Sequence, residues 1–197
     1  MLIGLVLAAG PAQAAKVLRL SLNPLGAILD DGAIVQLSGG SAPLLLTGNS
    51  GVPNFGLSFT IPNDYKSDTP LVLEIVWEAY ETDCSFLLAP NLLYRSRPGE
   101  AADGGGASSG LIALEATTDF TLSGGRIQMA APATEQESAK VRFEISGGDE
   151  EFPSLDQGDG ITFGIFRDDR GSEDSCTGEL GISGISIVYE KGKVPKT

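Results

Sequence analysis

The stretch FRDDRGSEDSCTGELG, residues Phe166 to Gly181, concentrates the reactive side chains of this chain. It holds two arginines, five carboxylates, Ser175, and Cys176, one of only two cysteines. Three chemistries are open to it: nucleophilic catalysis at Ser175 or Cys176, cation binding by the acids, or a charged turn pinned by a disulfide. The sequence contains no histidine. That removes the usual general base near neutral pH and the commonest transition-metal ligand. Ser-His-Asp and Cys-His hydrolases are thereby excluded, and Ser175 reads as a turn residue. Carboxylates next to a thiol disfavour its thiolate, which speaks against Cys176 as a nucleophile.

The acids themselves point to a hard cation. Asp168, Asp169, Glu173 and Asp174 are oxygen ligands of the kind Ca²⁺ takes. Asp156 and Asp159 in LDQGDGI form a second acidic spot. Neither has the regular D-x-D-x-D-G spacing, and Arg167 and Arg170 stand inside the first cluster as counter-ions. The plainer expectation is a solvent-facing loop with local ion pairs, and a tight turn at Gly158-Asp159-Gly160. Glu74 and Glu78, four apart on one strand, would sit roughly 13 Å apart, too far for either carboxylate geometry of a glycosidase. Trp77 shares a face with Leu73 and Ile75 and reads as core. Tyr65, Tyr80 and Tyr94 are the candidates for an exposed platform that stacks on a sugar. No catalytic residue is assigned, and the expectation is a protein that is not an enzyme.

The elements that position these residues are strands. The 197 residues are 42% hydrophobic and 20% charged, with 26 glycines and 11 prolines, a composition for one turn-rich globular domain. VLRLSL, AIVQL, PLLLT, FGLSFTI, LVLEIVWEAY, SFLLAPNLLYRS, LIALEATTDFTL, RIQMA, KVRFEIS, GITFGIF and ISGISIVYE are short apolar or alternating runs between turn residues. FGLSFTI places Phe55, Leu57, Phe59 and Ile61 on one face, and LVLEIVWEAY places Leu71, Leu73, Ile75 and Trp77 on one face. Pro90 predicts an edge position or a bulge. Only APATEQESAK, residues Ala131 to Lys140, offers a helical turn. EAADGGGASSG reads as a linker, because the Lys-Ser/Thr of a phosphate-binding loop is absent. The pattern predicts an all-β fold: an antiparallel β-sandwich, jelly-roll-like, of about ten short strands.

The opening MLIGLVLAAGPAQA combines an apolar run, a proline break and the small-x-small pattern of signal-peptide cleavage at Ala12-Gln13-Ala14. No Lys or Arg precedes the run, and an ordinary buried strand is the competing reading. The division expected is a signal peptide at 1–14 and one sandwich domain at 15–197. The run is too short to span a bilayer as a helix. Export would place Cys84 and Cys176 in an oxidising compartment, and the even pair predicts a disulfide between them. The net charge of −13 repels phosphate backbones and anionic lipid heads, so nucleic acid and membrane insertion are not expected.

Two stretches carry a resemblance: FGLSFTIPNDYKSDTPLVLEIVWEA and SLDQGDGITFGIFRDDRGSEDSCTGELGISGISIVYE. The features are an F-x-(I/L)-P-x-D-Y turn, an apolar strand with a Trp, a G-D turn, an F/I-R-D strand end and a last strand ending in Tyr. Together they resemble an uncharacterised jelly-roll-like β-sandwich family of secreted bacterial proteins and phage virion or tail-associated proteins. The cysteine pair is not part of that pattern. The resemblance covers about half the chain. It implies a non-enzymatic module of surface or particle assemblies and carries over no catalytic residues.

The functional expectation is an exported structural module, extracellular, at the cell surface or in the periplasm, that self-associates or joins other surface or particle proteins as a subunit of an extracellular filament, surface layer or virion-like assembly. The segment AKVLRLSLNPLGAI is a strand-former that either exchanges into the sheet edge of another copy or pairs within its own sheet. The alternative is a carbohydrate- or glycan-binding module, with Ca²⁺ as its one conceivable cofactor.

Overall fold

The computed structural model describes residues 16–22, 28–29, 33–34, 44–46, 54–67, 69–96, 99, 111–123, 126–145, 155–168 and 172–192. The expected leader at 1–14, the linker at 100–110, Asp169 and Arg170 lie outside the described residues. Thirteen strands are described: β1 (Val17–Leu22), β2 (Ile28–Leu29), β3 (Ala33–Ile34), β4 (Leu44–Leu46), β5 (Asn54–Thr60), β6 (Leu71–Ala79), β7 (Ser85–Ser96), β8 (Leu111–Ala116), β9 (Phe120–Ser123), β10 (Arg126–Ala130), β11 (Ser138–Ile145), β12 (Gly160–Arg167) and β13 (Leu180–Glu190). They form two antiparallel sheets. One runs β3-β4-β13-β6-β11-β8, with β1 also on β13; the other runs β2-β5-β12-β7-β10-β9.

The pairings are nested. β4 pairs with β13, β5 with β12, β6 with β11 and β7 with β10. Consecutive strands from β4 to β7 alternate between the sheets, and the return strands β10 to β13 alternate back. A long hairpin folded over on itself gives this order, which is the jelly-roll form of a β-sandwich. The fold expectation therefore holds, with thirteen strands in place of about ten.

Strand alternation builds the core. Leu73, Trp77, Phe143 and Ile187 from the first sheet meet Phe86 and Phe163 from the second, all buried. Trp77 and Phe86 contact edge to face, with ring centroids 6.0 Å apart. Pro90 falls inside β7, beyond the stretch Ser85–Leu88 that pairs with β10. There, among the described residues, the strand pairs with β12 alone, so the missing N–H is tolerated, and a bulge follows where Leu92 rather than Leu93 pairs with Phe163. LIALEATTDFTL, expected as one strand, is two. β8 pairs with β11 and β9 pairs with β10, so the chain changes sheets at Thr117–Asp119. APATEQESAK forms no helix. Turns precede β11, and Gln136 has a positive φ of 62°.

Three of the motif features, the P-N-D-Y turn, the G-D turn and the tyrosine that closes the last strand, meet at one end of the sandwich, whereas Trp77 and Arg167 lie toward the other. Pro62 to Tyr65 is a turn closed by Tyr65 N–H to the Pro62 carbonyl, 2.9 Å. The Tyr189 hydroxyl at the end of β13 donates to Asp64 Oδ1 at 2.8 Å, and Lys191 Nζ lies 3.2 Å from Asp64 Oδ2. The Tyr65 and Tyr189 rings contact at 6.4 Å. Burial, and then the Asp64 carboxylate, push the Tyr189 phenol up to about 12 from its ordinary value of 10.0. The Tyr189 hydrogen bond holds Asp64 below the usual carboxylate range, with help from Lys191 and against burial. The fold thus favours the protonated phenol. The stability this contributes is complete below about pH 10 and is lost as pH rises from about 10 to about 12. Asp64 works in the opposite sense: its contribution is present above its ordinary value of 3.8 and is lost as pH falls through its lowered one. Urea midpoints between pH 9 and 12 should fall more steeply for the natural chain than for Tyr189→Phe. Parallel profiles would contradict this coupling.

Candidate functional site

Arg167 organises the charge-rich stretch. Ile161, Phe163 and Ile165 point inward along β12, and the same period-two alternation turns Arg167 inward, where its side chain is 0% exposed. Its guanidinium makes a two-point pair with Asp174: Nε to Oδ2 and Nη2 to Oδ1, both 3.0 Å. Nη1 donates to the Gly178 carbonyl at 2.7 Å and Nη2 to the Cys176 carbonyl at 2.6 Å. The Phe86 ring lies 4.6 Å from Cζ, within cation–π range. A buried cation is tolerated only when paired and hydrogen-bonded, and both conditions are met.

The loop that returns from Arg167 is fastened along the start of β7. Asp174 Oδ2 also accepts from Leu87 N–H at 3.1 Å. Ser175 Oγ accepts from Ser85 N–H at 2.9 Å, and Ser175 N–H donates back to the Ser85 carbonyl at 2.9 Å. Glu81 Oε2 accepts from Thr177 N–H at 2.7 Å and Gly178 N–H at 2.6 Å. The Gly178 backbone bond is the main reason the Glu81 carboxyl titrates below its usual range. The Cys84–Cys176 disulfide closes the assembly, with Cα atoms 5.1 Å apart across a separation of 92 residues. Ser175 is thus bonded to β7 in the stretch that follows a turn at 172–173, and the disulfide joins the predicted pair.

The expectation that these carboxylates face solvent fails for two of them. The side chain of Asp174 is fully buried against Arg167, although its backbone is partly exposed. Asp168 is buried, and its Oδ2 lies 2.9 Å from Arg126 Nη2. Glu173 is exposed, and its carbonyl accepts from Gln128 Nε2 at 2.8 Å. Of the cation candidates of this loop, Asp168 and Asp174 are thus held by different arginines, Arg126 and Arg167. The Asp174 carboxylate is neutralised by Arg167.

Asp156 and Asp159 form the expected turn. Asp156 N–H donates to Asp159 Oδ2 at 3.0 Å, Gly158 adopts a φ of 88°, and Ser67 Oγ donates to Asp156 Oδ1 at 2.9 Å. Among the described residues, Glu81, Cys84 and Cys176 alone bring three potential metal-ligand atoms within 4.8 Å of one another. Both sulfurs are spent on the disulfide.

The tyrosine platform needs correction. Tyr65 is 2% exposed: its ring packs on Tyr189 and its hydroxyl donates to the Thr69 carbonyl. The P-N-D turn places it over the core rather than outward. Tyr80 is half-buried, and burial first, then the Glu78 and Glu179 charges, push its phenol above 10.0. Tyr94 lies in β7 opposite Thr162, and its side chain lies outside the described ones. Trp77 is core, as expected.

A feature the sequence did not display lies on the outer face of the first sheet. Glu74 on β6 is 2% exposed. Arg19 of β1 reaches it across β13: Nη2 donates to Oε2 at 3.1 Å, and Nη1 lies 2.6 Å from Oε1 without hydrogen-bond geometry. Lys140 and Arg142 of β11 stand 3.6 and 3.7 Å from Oε2. Arg142 also pairs with Glu115 at 2.5 Å.

The sheet edges are apolar in part. β1, on β13, and β9, on β10, each pair with one neighbour among the described residues. The exposed large hydrophobics among the described residues are Val17 (62%) and Leu20 (41%) on β1 and Leu122 (56%) on β9. Among the described residues no helix is long and apolar enough to cross a membrane.

No family model matches the chain, and no curated protein matches it. Among solved structures it is similar to a carbohydrate-binding module described for specific mannan recognition. The identity is 11%, over 88% of this chain and 89% of that one, at a TM-score of 0.33. A likeness of that degree assigns neither a family nor a ligand.

Proposed function

We propose that this chain is an exported, non-catalytic β-sandwich that serves as a structural subunit, joining copies of itself or other surface or particle proteins through the edges of its sheets. The observation that carries the reading is the placement of Val17, Leu20 and Leu122, the large exposed apolar side chains of the described residues, on the edge strands β1 and β9. An edge strand presents unpaired N–H and C=O groups, and apolar side chains beside them favour addition of another strand. The disulfide supports an oxidising compartment.

Strand exchange by β1 is the mechanism this reading prefers. β1 pairs antiparallel with β13 from Val17↔Glu190 to Leu22↔Ile185, as the in-sheet alternative expected. Besides the backbone pairing, Leu18 packs partly buried against the core and Arg19 reaches Glu74. Leu20 sits opposite the buried Ile187, on the inward side, yet remains 41% exposed. Exchange would re-form the same pairing and side-chain contacts in the sheet of another copy, so β1 loses little by it. The glycan-binding alternative, with or without Ca²⁺, draws on tyrosines of which Tyr65 is buried, Tyr80 is half-buried and the Tyr94 side chain lies outside the described ones.

Light scattering on the full chain after size exclusion tests the reading. The natural chain, 20.4 kDa as a monomer, is expected in species of two copies or more at micromolar concentration. Val17→Lys/Leu20→Lys/Leu122→Lys is expected to be monomeric with unchanged Trp77 emission. A natural chain that stays monomeric at all concentrations sinks the self-association reading.

A further inference from the structure

We infer that the slot β1 occupies along β13 selects its strand by charge: it takes an extended apolar segment with an arginine placed opposite Val188, and Glu74 reads that arginine. This rests on the strand-addition reading above and adds the identity of the accepted strand. The occupant in question is the Val17–Leu22 segment, V-L-R-L-S-L, of a second copy of the chain.

Glu74 lies on β6, one strand beyond β13, so a side chain from β1 must span two inter-strand spacings, roughly 10 Å, to reach it. Arg19 pairs with Val188, and the next outward residue on β13 toward Glu74 is Ser186, directly opposite it. The short serine leaves the path across β13 open. Arginine has the length and the forked head to meet both carboxylate oxygens. Glu74 is buried, and its Oε1 has no hydrogen bond; Arg19 Nη1 is its close cationic contact, since Lys140 and Arg142 approach Oε2.

A strand without a cation at this position leaves a buried carboxylate short of a partner, and one with an acid there sets two like charges together. The flanking positions ask for apolar side chains, because Leu18 and Leu20 face the inward side opposite Tyr189 and Ile187. The slot therefore reads register as well as charge: a slip of one residue would turn the arginine inward. The side chain of Arg19 itself stays 54% exposed, so a strand can bring its arginine in from solvent without first burying it.

The test uses the full chain carrying Arg19→Glu, whose own β1 is mismatched to the slot. Fluorescein-labelled peptides spanning Lys16–Leu22 are titrated against it by anisotropy, one with the natural arginine and one with Glu at that position. The arginine peptide is expected to bind at least tenfold more tightly, and Glu74→Gln introduced into the same chain should reduce that preference to less than threefold. Emission from Trp77 checks that each chain is folded, and Arg19→Ala serves where Arg19→Glu is not. Equal binding of the two peptides, or binding of neither, overturns the inference. Light scattering on the natural chain reads self-association separately, so a monomeric natural chain with peptide selectivity intact would reject assembly and leave the slot standing.

Discussion

Asp174→Ala should lower the unfolding free energy by about 3 to 5 kcal/mol, the cost of leaving a buried charge without its partner. Arg167 is buried, and Asp174 holds it by a two-point pair, with Glu81 acting on it electrostatically. The substitution also strips the acceptor from Leu87 N–H. For a chain of this length the melting temperature should fall by roughly 10 °C. Arg167→Met/Asp174→Leu should recover part of the loss, because an apolar pair of similar volume carries no desolvation cost. Urea unfolding followed by Trp77 emission reads this well. The chain has one tryptophan, and its ring touches Phe86, which in turn stacks on Arg167. A loss under about 1 kcal/mol for Asp174→Ala would show that the buried pair does not hold the loop.

Cys84→Ala/Cys176→Ala should cost a similar amount by a different route. Opening a closure that spans 92 residues releases chain entropy in the unfolded state worth about 4 to 5 kcal/mol. Native hydrogen bonds from Ser175, Glu81 and Asp174 would keep the loop in place in the folded state. The folded structure should therefore change little while the urea midpoint drops. A circular dichroism spectrum that collapses in dilute buffer would be consistent with this only if sulfate or sucrose restores it. A midpoint unchanged from the natural chain would contradict the entropic role of the bridge. Either substitution consumes a large part of the 5 to 15 kcal/mol typical of a folded domain, so combining them should prevent folding.

The sandwich was legible because period-two alternation and turn residues mark strands locally. β1, β7 and β10 fall on VLRLSL, SFLLAPNLLYRS and RIQMA, and Trp77 is core as its face required. The sheet change at Thr117–Asp119 was not legible. No glycine or proline interrupts the apolar pattern there, and the break is imposed by two different partners, β11 and β10. Arg167 could have been placed from the alternation of Ile161, Phe163 and Ile165. A charge at a strand end is usually solvated, and that general expectation concealed it. Glu74 and Arg19 lie 55 residues apart on strands that are not neighbours. No local pattern encodes such a pair. Tyr65 was a candidate for an exposed platform, but Tyr189, arriving at the far end of the chain, packs against its ring.

The loop at 166–181 began as the best candidate for reactive chemistry. It is a clasp in which an arginine, an aspartate and a disulfide hold the return from β12 to β13 against β7. With that loop committed to structure, the proposed function rests on the edges, and above all on β1.

Cysteine trapping of β1 tests this most directly. Ser21 and Ser186 are paired across β1 and β13, so the full chain carrying Ser21→Cys/Ser186→Cys forms a bond wherever β1 lies in a β13 slot. Val17→Cys/Glu190→Cys repeats the test at the other end of the same register. The native disulfide lies within one chain and adds no link between chains. Oxidation at micromolar concentration should give covalent dimers and a ladder on a non-reducing gel, collapsing to one band with reductant. Bonds formed within single chains alone, at every concentration tried, would contradict strand exchange as the basis of assembly.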